Sequence, residues 1–137
     1  QRRELVIKGC RDAQKAAKQA IFALHRGDTQ RSAELIASAN ECVQRVWQEN
    51  VRDTPSLRYG SFAGALEELA EAELFHAWML QQRSAASAPG EASADAGSVS
   101  VPPKDKLAGG LLTAFGYVGA LSDYTGEVGR VAVEAAT

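Results

Sequence analysis

The feature that most constrains this chain lies in its first thirty residues. Val6, Cys10, Ala13, Ala17, Ala20 and Leu24 recur at alternating steps of four and three, which places them on one face of a helix from about Arg3 to His25. Lys8, Arg11, Lys15 and Lys18 follow the same rhythm on the opposite face. Arg26-Gly27-Asp28 then stops the pattern, with Gly27 suited to a C-terminal cap and Asp28 to the next N-terminus. A second periodic segment, Thr29 to Asn50, begins at once, with Leu35, Ala39, Cys42, Val46 and Trp47 as its apolar stripe. So short a connection forces an antiparallel helical hairpin.

The rest of the chain extends that reading. Asn50 to Gly60 reads as a loop, and Ser61 as a cap for a third helix, Phe62 to Gln82. Residues 84–103 are rich in Ala, Ser and Gly, hold three prolines and lack aromatic residues. Such a segment has too little apolar surface to offset the entropy of ordering, and reads as a flexible linker. A last helix is expected from Pro103 or Lys104 to the end, broken at Gly109-Gly110. Small residues at Gly109, Gly116, Gly119 and Ala120 would let another helix approach its backbone, in a buried core or an oligomer interface. No strand pattern competes. The expected class is all-α, an antiparallel helical bundle forming one domain over residues 1–137. The chain starts without Met and ends in mid-helix, so further C-terminal helices are expected beyond it.

Composition excludes several classes. With 137 residues, 45% hydrophobic and 23% charged, the chain can bury a core and is not wholly disordered. Two cysteines and no CxxC spacing argue against a disulfide scaffold or a zinc site. The longest uncharged stretch, Leu107 to Ser122, is 16 residues and carries four glycines, short of the ~20 that a membrane helix needs. Cytoplasm or nucleus is the expected compartment. Residues 1–31 hold eight basic side chains against three acidic ones, while the remainder is acidic. That asymmetry fits a polyanion-facing element beside an acidic site, and equally a charged helical protein with no such role.

The acidic residues carry the sharpest chemical pattern. Glu68 and Glu71, three apart on the third helix, share a face with Phe75 and Trp78. Asp123 and Glu127, four apart on the last helix, also share a face, which Arg130 continues. Acids at this spacing commonly face water or pair with Lys and Arg. If the two helices pack together, however, the four carboxylates converge and would suit a hard cation such as Mg²⁺ or Mn²⁺, able to activate water against a phosphodiester. Lys8, Arg11, Lys15, Lys18 and Arg26 are the candidate phosphate contacts, or else a solvated basic face. His25 reads as a C-terminal helix cap.

Three segments together resemble the translin family, most closely its translin-associated factor X (TRAX) branch. They are the first helix with Ile21-Phe22-Ala23-Leu24-His25-Arg26, the run Ala65-Leu66-Glu67-Glu68-Leu69-Ala70-Glu71-Ala72 followed by Phe75, and Tyr117 to Arg130 with its Asp123, Thr125-Gly126-Glu127 and Arg130. Gly116 stands where the family pattern has an acid before Tyr117. The resemblance implies the translin fold and assembly with translin into a closed hetero-oligomeric shell. It further implies a Mg²⁺-dependent endoribonuclease acting on single-stranded RNA, in RNA silencing and the trimming of tRNA-related fragments. On that resemblance Glu68, Glu71 and Asp123 are the catalytic metal-binding positions, with Glu127 as the fourth. Two other readings compete. One is a non-catalytic translin-type protein binding single-stranded DNA or RNA. The other is a helical scaffold whose ligand is another protein.

Overall fold

The computed structural model describes residues 2–86 and 100–136, all helix, turn or extended connection without a strand among them. Four α-helices carry the fold: α1 Arg2–His25, α2 Thr29–Val46, α3 Ser61–Ala86 and α4 Ala114–Ala136. The all-α expectation holds.

The α1–α2 hairpin forms as the sequence dictates. Val6, Cys10, Ala13, Ala17, Ala20 and Leu24 are all buried. The turn between the helices is closed by the backbone. Gly27 takes a φ of +80°, its N–H donates to Leu24 O at 2.9 Å, and the Asp28 N–H donates to Ala23 O at 2.9 Å. This pair of bonds around a left-handed glycine satisfies the last carbonyls of α1. Asp28 then caps α2, its carboxylate accepting from the Arg31 N–H at 3.0 Å. Asp28→Ala is expected to lower stability by ~1 kcal/mol, read as a shift in the urea midpoint. An unchanged midpoint would show that the cap is idle.

Several sequence expectations are corrected. The buried face of α2 is Ser32, Leu35, Ala39, Val43 and Val46, whereas Cys42 is only half-buried. The α-helix ends at Val46, and a wider π-helical turn, Trp47–Val51, continues it and buries Val51. That turn lets Trp47 stack on Phe62 at the start of α3, ring centroids 6.1 Å apart. Helix α3 runs to Ala86, so the first residues assigned to the linker, Ser84 to Ala86, are helical. Residues 87–99 of that expected linker lie outside the described residues.

The segment before α4 is not helical from Lys104 onward, as expected, but two short 3₁₀ turns, Lys104–Lys106 and Ala108–Gly110. Ala108, Gly109 and Gly110 all have positive φ, so no α-helix can pass through them. The Glu73 carboxylate accepts from the Ala108 N–H at 2.7 Å and anchors this turn to α3. A side chain at Gly109 would also run into Gln44 of α2.

The helix order decides where the acids lie. Gln14 meets Gly64, Lys18 meets Glu68 and His25 meets Phe75, each pair 50 positions apart, so α1 and α3 run parallel and in step. Helix α2 runs against both. Helix α4 runs parallel to α3, since Glu67 lies beside Gly116 and Gly119 and Glu71, further along α3, beside Glu127. Asp123 accordingly comes next to Glu68 and Glu71. The hairpin is antiparallel, as expected, and the fourth helix departs from a strict up-and-down order.

Among the described residues no helix is long and apolar enough to cross a membrane. Cys10 and Cys42 are both free thiols, and burial pushes Cys10 up to about 11.

Candidate functional site: a carboxylate cluster between α3 and α4

Glu68 and Glu71 on α3 are answered by Asp123 and Glu127 on α4, within electrostatic reach of one another. Burial first, and then the charges of Asp123, Glu127 and Glu68, raise the Glu71 pKa from 4.5 to about 7. Glu71 itself is buried, at 8% exposure, one turn from the buried ring of Phe75. Burial also raises the Glu68 pKa, with Lys18 opposing and Asp123 adding to the rise. Asp123 is exposed at the rim. The fold thus brings the two acidic pairs, distant in the sequence, within electrostatic reach of one another. Like charges brought together in a half-dry setting are costly unless a proton or a cation neutralises them.

Glu127 differs from the other three. It is buried, and both of its oxygens are engaged: His25 Nε2 lies 2.5 Å from Oε2, and Arg130 contacts Oε1. Burial alone would raise its pKa, but the hydrogen bonds from His25 and Arg130 outweigh burial and hold it below the ordinary range. Glu71, when protonated, donates to this carboxylate. Glu127 therefore ties α4 to the end of α1 and supports Glu71 from behind.

His25 stands in the last turn of α1, where the capping reading puts it, and has a further contact there. Its imidazole rests on Phe75, centroids 4.9 Å apart, and holds Glu127. A signal existed in the sequence: His25 lies seven residues after Lys18, two turns along the same edge of α1. Arg130 is seven residues after Asp123 and was visible on the acidic face.

The basic residues divide. Lys18 reaches the cluster, its Nζ 3.8 Å from Glu68 Oε1. Lys15 and Arg11 continue the exposed stripe away from it, and Lys8 lies farther still, beside Glu4 and Asp12. Arg26 is exposed near the hairpin turn, with Arg31. Lys8, Arg11, Lys15 and Lys18 thus form one solvent-facing stripe, only one end of which touches the acidic site.

At Gly116 and Gly119, α4 is approached by α3, in line with the small-residue pattern. The two glycines make room for the Glu67 side chain, whose Oε2 would lie 3.2 Å from a Cβ added at Gly119. An acid is therefore present opposite Gly116, supplied by α3. Beside it lies an apolar cleft of about 430 Å³ bordered by Leu66, Leu111, Leu112, Tyr59 and Phe115.

Among the described residues no three acid, His or Cys side chains already point at one spot as a ready coordination shell. The donor chemistry nevertheless suits a hard divalent ion. Every group is a carboxylate oxygen, and Glu68, Glu71 and Asp123 lack the double tether that occupies Glu127.

The fold is a four-helix unit in which α4 runs parallel to α3, with acids at the α3–α4 seam and a basic face on α1. A family model described as Translin family matches residues 1–137, and the chain belongs to that family. No curated protein and no solved structure matches the chain at a significant level. Membership points to nucleic-acid binding and to assembly into oligomers.

Proposed function

We propose that this chain is the TRAX-like, catalytic type of translin-family subunit. In this reading it is a Mg²⁺- or Mn²⁺-dependent endoribonuclease on single-stranded RNA, working in the cytoplasm and nucleus in a complex with translin. The observation that carries the reading is that Glu68 and Asp123 lie within electrostatic reach of the buried Glu71, crowding negative charge at the seam of α3 and α4. Glu68, Glu71 and Asp123 would hold the ion. A bound Mg²⁺ supplies Lewis-acid polarisation of a phosphoryl oxygen and a lowered pKa for an attacking water.

The chain's own residues do the rest. Glu127, gripped by His25 and Arg130, fixes the distance between α4 and α1 and steadies Glu71. Phe75 and the neighbouring apolar side chains keep the inner side of the cluster dry, which strengthens its electrostatics. Lys18 and the stripe behind it attract the phosphate backbone toward the acids, which alone would repel it.

The exposed basic stripe also supports a second reading, a non-catalytic protein binding single-stranded DNA or RNA. One assay separates the two. Labelled single-stranded RNA is incubated with the protein, with and without translin, in Mg²⁺ or in EDTA. The catalytic reading expects cleavage in Mg²⁺, none in EDTA, and retained binding in both. Binding without cleavage in either condition would sink the catalytic reading and leave the second.

A further inference from the structure

The aromatic rings of this chain are unequally placed. Trp47 is taken up by Phe62 and by the Arg58 guanidinium, and Trp78 by Phe75. Tyr59 and Phe115 border the apolar cleft beside Glu67. Phe22 alone stands on the basic face of α1, 61% exposed. Lys18 and Arg26 lie four positions before and after it, so a cation sits about one turn, ~5.4 Å of axis, to either side of the ring. Lys15 is on the same face. Around the ring lies a shallow cleft of about 310 Å³, lined by Gln19, Phe22, Arg26, Arg31 and Leu35. Arg31 is paired with Glu34, whereas Arg26 has no acidic partner among the described residues.

The helix register adds a second observation. Because α1 and α3 run in step, with Lys18 beside Glu68 and His25 beside Phe75, Phe22 stands level with the Glu71–Ala72 turn of α3. A strand whose phosphates follow Lys15, Lys18 and Arg26 would pass at the height of the carboxylates. Its bases would then need an apolar surface, and Phe22 is the ring available there. A single-stranded nucleic acid is the partner whose chemistry matches both elements, alternating anionic groups and flat aromatic faces.

From this juxtaposition we infer that Phe22 is a base-stacking platform. It holds an unpaired nucleotide flanked by Lys18 and Arg26, and sets the register of the strand relative to the acidic cluster. The inference rests on the nucleic-acid-binding reading of the chain and does not require that the chain be catalytic. Stacking on an exposed ring tolerates any base, so the subsite would position without reading sequence.

The test uses the full chain in EDTA, so that cleavage does not enter. Affinity is measured for an oligouridine and for an oligonucleotide of equal length with abasic sites. Phe22→Ala is expected to weaken oligouridine binding about 5- to 30-fold while leaving the abasic affinity and the salt dependence unchanged. Phe22→Trp should keep wild-type affinity, and its added indole emission, above that of Trp47 and Trp78, should fall when the oligouridine binds. Equal loss for both oligonucleotides would overturn the inference. So would no loss at all, or a loss accompanied by a changed oligomer mass in light scattering, which would make Phe22 a subunit contact. Loss of Mg²⁺-dependent cleavage in the wild type, with the Phe22 results intact, would remove the nuclease reading and leave the stacking site standing.

Discussion

Glu68→Gln combined with Glu71→Gln is expected to reduce Mg²⁺-dependent RNA cleavage by roughly 10³-fold, several kcal/mol of transition-state stabilisation. Glutamine keeps the volume and the helix propensity of glutamate, so circular dichroism should show the wild-type helix content. What it removes is the negative charge that a hard cation requires. RNA affinity in EDTA should stay level or rise, because two like charges facing the phosphate backbone have been neutralised. The combination of lost turnover, kept fold and kept binding distinguishes a catalytic role from a structural one. Full activity in the double variant would end the metal-hydrolysis account, whatever its affinity.

The second large effect concerns stability. Folding raises the Glu71 pKa from 4.5 to about 7, chiefly through burial and then through its three acidic neighbours. The folded state therefore holds this proton more tightly than the unfolded chain does. The stability that the protonated group contributes is present below about pH 4.5 and is lost as pH rises toward 7. Above that range the bare carboxylate costs on the order of 1–3 kcal/mol after allowance for partial solvation. Glu71→Gln should therefore be more stable than the wild type at about pH 8 by several degrees in Tm, and nearly equal to it at pH 4.5. The amide introduced by this substitution can also donate to Glu127, as the protonated acid does. Mg²⁺ should raise the Tm of the wild type at about pH 8 and leave Glu71→Gln almost unmoved. A variant less stable than the wild type under those alkaline conditions would show that the Glu71 charge is paired and not crowded.

How far the sequence reveals this molecule depends on the range of the interaction concerned. The α1–α2 hairpin was legible because it is local: apolar positions recurring on one face, a glycine where the backbone turns left-handed, and an aspartate to cap the second helix. The acidic pairs were legible as pairs for the same reason, since spacings of three and four decide a shared face. Their convergence was a conditional expectation, because it depends on α4 running parallel to α3, and nothing local encodes that direction. The π-helical turn at Trp47–Val51 leaves no clear mark on a hydrophobic period, since it adds only one residue to a turn. The start of α4 lies later than the composition suggests. Lys104–Gly110 has a helix-compatible opening, but Glu73 captures the Ala108 N–H from another helix and holds a left-handed turn there. The contact of His25 with Glu127 is invisible to any local pattern, because the two lie 102 positions apart. The glycines of the small-residue stripe at 116 and 119 seat Glu67 of the neighbouring α3, a partner that spacing alone does not name.

The central claim is that carboxylates from α3 and α4 jointly grip one kind of divalent ion. Its most direct measurement is the binding isotherm of Mn²⁺ followed by electron paramagnetic resonance, on the wild type, Glu71→Gln and Asp123→Asn. Saturable binding that Mg²⁺ displaces is expected, weakened at least about tenfold by either substitution because each removes a charged oxygen ligand. Binding that survives both substitutions unchanged, or no saturable binding in the wild type, would contradict it.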